Sequence, residues 1–141
     1  MSYMEMFVAV VAVVLFSSMA LLLNRSMVNQ TDLITNATQY LQASHLNHTI
    51  LDEIDAKLFS KQLKFSVIKT NYNITRTYNL QHTGGTWIAQ IVTVDCDSLG
   101  NALQTPDPSN IYLRVQVNTS TPGLRNPVIS QRIYTKTHLN L

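Results

Sequence analysis

Glu5 is the only charged residue before Arg25, and its carboxylate has the clearest chemical requirement of any group in this chain. The run that follows it, Met6 to Leu23, is uncharged and almost entirely apolar. An ionised carboxylate without a partner is costly in hydrocarbon, so it must be protonated, solvated or paired wherever this run leaves water. Glu5 therefore predicts either a membrane edge or a charge pair.

Both interpretations of Glu5 are open on the residues alone. In the first, Glu5 lies at the headgroup level of a membrane and near the positive end of the helix dipole, a stabilisation of about 0.3–1 kcal/mol. In the second, helices of many copies pack without water, and Glu5 pairs with the free amine of Met1 of a neighbouring copy, which is charged near neutral pH. That pair would satisfy both groups and set the axial register between copies.

The apolar run predicts a membrane-spanning helix. Its eighteen residues rise ~27 Å as a helix, close to the ~30 Å of a hydrocarbon core. A cleaved secretory signal expects a basic flank and a small-residue cleavage site, and neither is present. Glu5 before the run and Arg25 after it do not suit an anchor whose amino end is cytoplasmic. Removal of a basic leader by processing would account for that order.

The apolar run continues into a helical pattern. Neither Gly nor Pro occurs before Gly84, so the strongest helix breakers are missing. Residues 26–60 carry apolar or small side chains at spacings near three and four, which predicts an amphipathic helix to about Ser60; these positions are Leu33, Ala37, Tyr40, Ser44, Leu51, Ile54 and Leu58. The low helix propensity of Asn, Thr and Ser leaves a break between Ser26 and Thr38 open.

After Lys61 the pattern alternates, as expected of half-buried strands. "NIYLRVQVN" is the clearest case, with Ile111, Leu113, Val115 and Val117 on one face. The five predicted strands are Leu63–Asn71, Ile74–Leu80 (a weaker candidate), Trp87–Asp95, Asn110–Asn118 and Pro127–Lys136. Short links between consecutive strands favour an antiparallel sheet, and the carboxyl half of the helix is the element available to cover it.

The predicted fold is therefore α+β. A long N-terminal helix has a protruding apolar half, and its amphipathic half packs on a small antiparallel sheet of four to five strands. The predicted division is residues 1–25 as the apolar transmembrane or filament-core helix, 26–60 as its amphipathic continuation and 61–141 as the sheet head domain.

This order of elements, with Glu5 at the fifth position before eighteen apolar residues, resembles the type IV pilin-like proteins, which include type IV pilins and the pseudopilins of type II secretion. The match in sequence covers roughly the first twenty-five residues. The resemblance implies a leader removed by a prepilin peptidase, a methylated terminal amine and pairing of Glu5 with a neighbour's amine. Met1 in place of the usual Phe, the missing Pro near the end of the run and the missing C-terminal cysteine pair indicate a divergent branch in its mature form.

Composition and motifs argue against several other functions. The net charge is only +2, and the ten Lys and Arg form no basic stripe, so we predict no nucleic-acid partner. Cys96 is the only cysteine, which rules out a disulfide within the chain and a multi-cysteine metal site. The chain has no phosphate loop, nucleophile elbow or dinucleotide fingerprint. We expect neither an enzyme nor a bound cofactor or metal.

Six Asn-x-Ser/Thr sequons indicate possible glycosylation of an extracellular surface. Asn24 lies too close to the apolar run to be a good acceptor. The candidate acceptors are Asn29, Asn36, Asn47, Asn73 and Asn118. An uncharged, hydrogen-bonding surface without glycans explains the same residues.

The function expected from these features is that of a structural subunit of an extracellular helical filament. Its partners would be copies of itself, the membrane before assembly and the pilus assembly machinery. Its location would be the inner (cytoplasmic) membrane first and the cell-surface filament afterwards. The alternatives are a single-pass membrane-anchored binding module and a pseudopilin of a secretion machine.

Overall fold

A computed structural model describes residues 2–80, 85–105 and 109–136 of the protein. The chain divides into two compact units, Met1–Thr38 and Gln39–Leu141, and the division falls inside the predicted amphipathic segment. The elements, in chain order, are α1 (Tyr3–Phe59), α2 (Phe65–Tyr72), β1 (Thr75–Leu80), β2 (Gly85–Asp95), β3 (Tyr112–Ser120) and β4 (Val128–Thr135).

Helix α1 continues through residues 26–38, where the sequence left a break open. Hydroxyl groups in this part of the helix bond to its own backbone: Thr31 Oγ1 donates to the Met27 carbonyl at 3.0 Å and Thr38 Oγ1 to the Ile34 carbonyl at 2.9 Å. These hydrogen bonds occupy the threonine hydroxyls, which would otherwise bond to backbone groups in a non-helical conformation. With neither Gly nor Pro present to interrupt it, the helix is maintained despite its weak formers.

The four strands form one antiparallel sheet in the order β1-β2-β3-β4. Its inner face follows the predicted alternation, since residues two apart along a strand point to the same side. The buried side chains of β2 and β3 are Trp87, Ala89, Ile91, Thr93, Leu113, Val115, Val117 and Thr119. Ile91 lies opposite Val117 in the register. Ile111, predicted to share this face, lies before β3 begins and is exposed.

The prediction of a strand at Leu63–Asn71 is wrong, because residues 65–72 form helix α2. The buried side chains of α2 are Ile68 and Tyr72, four residues apart, with Phe65 packed against the core. That spacing of three and four is helical, whereas Val67, which alternation would place beside Phe65, is exposed. A short apolar run is ambiguous between the two periods, and the sheet therefore has four strands.

The core of the second unit lies between the end of α1 and the inner face of the sheet. Ile50, Leu51, Ile54 and Leu58 of α1 are each no more than 2 % exposed and belong to one cluster with strand residues such as Val115. Burying each such side chain contributes about 1.5–3 kcal/mol. This confirms the predicted α+β fold, an amphipathic helix packed on a small antiparallel sheet.

The buried face of α1 begins later than the spacing of apolar residues predicted. Leu33 and Tyr40 are 58 % and 55 % exposed, and the first buried residue of the helix is Ala43. The periodicity of a helix identifies a face, but how far along that face a sheet reaches depends on the lengths of the strands.

Candidate assembly site

The apolar segment Met6–Leu23 lies in α1, and all of its side chains are exposed. An eighteen-residue window of the helix has a mean hydropathy of 2.7 and buries none of its residues within the structure. By length and composition this helix is able to cross a membrane. So much exposed apolar surface is not stable in water and requires a covering, whether lipid or protein.

Glu5 lies in the first turn of α1 and caps it. Its Oε2 accepts a hydrogen bond from the backbone N–H of Ser2 at 3.0 Å. In return, the Ser2 carbonyl accepts from the backbone N–H of Glu5 at 3.0 Å and of Met6 at 3.3 Å. The carboxylate thus reaches back from the third helical position to the residue that precedes the helix, which is the Glu half of a capping box.

We did not predict this cap, although Ser-x-x-Glu before an apolar run is its sequence signature. The cap gives Glu5 a role within its own chain, in addition to the membrane-edge and charge-pair roles that the sequence suggested. A carboxylate offers about four lone-pair sites, so the bond to Ser2 leaves capacity for a second partner. Met1, the predicted partner from a neighbouring copy, lies outside the described residues.

A hydroxyl in the apolar segment is satisfied within the helix. Ser18 Oγ donates to the Val14 carbonyl at 2.8 Å. In lipid or in a dry helix bundle, a polar group that bonds to its own backbone needs no external partner. Ser18 is therefore compatible with a covering of the segment by lipid or by protein.

The five candidate glycosylation sites differ in exposure. Asn29 and Asn73 are exposed, while Asn36 and Asn118 are half-buried. Asn47 is fully buried, and its amide nitrogen donates to the Val128 carbonyl at 3.0 Å and to Ser130 Oγ at 3.2 Å. A glycan on that nitrogen is incompatible with the folded domain, so Asn47 is not a glycosylation site in this fold.

A network of charges holds the end of α1 against α2 and β1. Glu53 accepts hydrogen bonds from Lys57 at 2.6 Å, from Arg76 at 3.0 Å and from the Tyr72 hydroxyl at 3.1 Å. Both cations also lie over the Tyr72 ring, 5.6 and 5.2 Å from its centre. Burial raises the pKa of Glu53, but the three hydrogen bonds outweigh it and hold that pKa below its ordinary value.

Arg132 of β4 makes the corresponding contact on the other side of the helix. Its guanidinium bonds to Asp52 at 3.0 Å and to Asp55. Asp52, Glu53 and Asp55 therefore join α1 to both edge strands of the sheet.

Comparison with protein-family models, with curated proteins and with solved structures gives no match. The resemblance to type IV pilin-like proteins stays a prediction that rests on Glu5, the apolar segment and the order of elements.

Proposed function

We propose that this chain is a structural subunit of an extracellular helical filament of the type IV pilus kind. The observation that carries the proposal is the fully exposed apolar segment of α1, which begins directly after Glu5 in a chain whose other end forms a folded α+β domain. Lipid covers this segment before assembly, and the same segments of other copies cover it afterwards.

In this proposal Glu5 sets the register between subunits. The bond to Ser2 fixes the direction of the carboxylate, and its remaining lone pairs accept the charged amine of Met1 of the next subunit. Because water is excluded from the filament core, each unpaired charge would be costly there. Correct stacking of the subunits is the arrangement that pairs the Glu5 carboxylate with the Met1 amine.

The test compares Glu5→Gln with Glu5→Ala. Glutamine also serves in a capping box, so Glu5→Gln keeps the local cap and removes only the charge. We expect both variants to lose filaments, seen by negative-stain microscopy of material sheared from cells, while both chains remain in the membrane fraction.

The matched control is Asp32→Asn, which removes the next acid along the exposed part of α1 and should leave filaments unchanged. Normal filaments from Glu5→Gln would show that the cap, and not the charge, is what assembly requires. Intact-mass measurement of the subunit tests the amine directly: we expect a methylated Met1.

The second candidate is a single-pass anchored binding module. The capping bond favours it, since Ser2 gives Glu5 a use that needs no neighbouring copy. In that case detergent extracts would contain isolated particles, and sheared material would contain no fibres of this chain. A pseudopilin would assemble into short filaments only with its secretion machine.

A further inference from the structure

A cavity of about 300 Å³ lies in the second unit, where the end of α1 meets α2 and β1. Two cations line it, Lys57 of α1 and Arg76 of β1, together with the amide side chains of Gln62 and Asn71. None of the described residues that line the cavity is acidic. Its volume is at the lower end of the range of small-molecule pockets, roughly 300–1,000 Å³, so it has room for a compact ligand.

The stretch of chain around this cavity is basic, although the chain as a whole is close to neutral. Between Asp55 and Asp95 the sequence contains five Lys and Arg residues and no Asp or Glu. Lys69 pairs with Asp95. Lys61 and Lys64 are exposed, and neither forms an ion pair within the part of the chain that the structure describes. The potential around the cavity is therefore positive, which favours an anion.

The two cations of the cavity wall share one carboxylate. Lys57 Nζ donates to Oε1 of Glu53 at 2.6 Å, and Arg76 Nη1 donates to Oε2 at 3.0 Å. Glu53 holds both cations in this way without lining the cavity. One negative charge does not neutralise two positive charges, and an ammonium and a guanidinium each carry more donors than one bond uses. The pair therefore keeps donors and a positive charge for a second anion.

The positions of both cations are fixed before any ligand arrives. Lys57 and Arg76 lie over the same Tyr72 ring, 5.6 and 5.2 Å from its centre. That ring is 2 % exposed and belongs to the core. Because the buried ring and the Glu53 carboxylate already hold the two side chains, binding an anion costs less ordering than it does at free surface lysines.

The groups that would contact a ligand are accessible from solvent. The side chains of Lys57 and Arg76 are 42 % and 27 % exposed, and Gln62 and Asn71 are exposed. The two amide groups add N–H donors to those of the cations. A ligand in the cavity therefore reaches four donor side chains without displacing any residue of the core.

We infer that this cavity binds the phosphate group of a small ligand. A phosphate presents more acceptor oxygens than a carboxylate does, and this suits a wall with four donor side chains. Arginine and lysine are the residues that most often bind phosphate in proteins. Inorganic phosphate and a small phosphate ester share this chemistry. The inference goes beyond filament assembly and does not depend on it.

The experiment is isothermal titration calorimetry on the full chain, in micelles of an uncharged, phosphate-free detergent and in a phosphate-free buffer of low ionic strength. The probes are inorganic phosphate and glycerol phosphate, with glycerol and acetate as comparators. We expect a phosphate probe to bind, glycerol not to bind and acetate to bind at least about tenfold more weakly. Failure of both phosphate probes to bind, or equal affinity for acetate, would overturn the inference.

Three variants locate the binding without disturbing the Glu53 network. Gln62→Glu and Asn71→Asp change exposed side chains little in size but place a negative charge at the cavity, so each should weaken phosphate binding about tenfold or more by like-charge repulsion. Gln90→Glu is the matched control, because Gln90 is exposed on β2 and does not line the cavity. Binding as tight as the parent's in both cavity variants, or equal weakening by Gln90→Glu, would place the phosphate elsewhere.

The two phosphate probes separate the two sources of the ligand. Tighter binding of glycerol phosphate identifies a small phosphate ester, and tighter binding of inorganic phosphate identifies the free ion. Because no assembly is needed in this experiment, its outcome is independent of the fate of the Glu5 variants.

Discussion

Single buried polar residues with several hydrogen-bond partners help to hold this chain together. Asn47 is an example: its amide group contacts Val128 and Ser130 of β4, and its Oδ1 accepts from Thr119 Oγ1 of β3 at 2.5 Å. All of this lies in the core, where an unpaired polar group is penalised. Asn47 therefore specifies the position of α1 on the sheet. The apolar contacts around it do not specify that position.

Replacing Asn47 tests this role. We expect Asn47→Leu to lower the free energy of unfolding by about 2 kcal/mol or more, because Thr119 and the Val128 carbonyl lose their partner. Urea unfolding of the full chain in micelles, followed by fluorescence, measures the change. Trp87 is the only tryptophan, so the signal reports on the second unit alone.

Asn79→Leu, at an exposed position of β1, is the control and should change stability by no more than about 0.5 kcal/mol. The pair Asn47→Leu and Thr119→Val should recover part of the loss, since both polar groups are then removed. A loss for Asn47→Leu as small as that of the control would mean that the network does not contribute.

At the scale of elements, ion pairs add to the apolar contacts that fasten the end of α1 to β1 and α2. Glu53 is the shared acceptor of Lys57, Arg76 and Tyr72. Since its pKa is lowered in the folded state, the folded domain binds the proton of Glu53 less well than the unfolded chain does. The stabilisation from this site is complete above the ordinary pKa of 4.5 and is lost as the pH falls through the lowered folded value.

We therefore expect the free energy of unfolding to decrease below about pH 4.5, and Glu53→Gln to show a shallower decrease. The same urea titration, repeated between pH 7 and pH 3, measures both slopes. The stability of the variant retains some pH dependence, because hydrogen bonds from Asn101 also lower the pKa of the Asp97 carboxyl. Identical slopes for the parent and Glu53→Gln would contradict a role for the network.

At the scale of the whole molecule, the exposed apolar segment is long and apolar enough to cross a membrane. Val14 lies near the middle of Met6–Leu23 and is exposed. An acidic residue at the centre of a membrane-spanning helix costs about 2.5–3.5 kcal/mol on insertion scales. We expect Val14→Asp to move the chain from the carbonate-resistant membrane pellet toward the soluble fraction.

Val28→Asp provides the comparison, since Val28 is also an exposed valine of α1 but lies beyond the apolar segment. It should remain in the pellet with the parent chain. If the Val14→Asp variant pellets as fully as the Val28→Asp variant, this segment is not what holds the chain in the membrane.

Much of the architecture was predictable because its signals are local. Helix α1 ends within one residue of the predicted end, and four predicted strands lie within two residues of the observed ones at each boundary. Alternation in β3 identified its buried face because successive side chains of a strand point to opposite sides. The cap at Glu5 was also predictable, since Ser2 and Glu5 are three residues apart.

Other features required the folded chain. The period of residues 65–72 was ambiguous until Ile68 and Tyr72 were seen to share one buried face. The burial of Asn47 and the cavity at Lys57, Asn71 and Arg76 each join residues of separate elements. Sequence by itself determined α1, the four strands, their order and the apolar segment, because these depend on periodicity and hydropathy over neighbouring residues. Only the tertiary structure decided which polar groups share the core and where a pocket opens, because those depend on contacts between residues that are far apart along the chain.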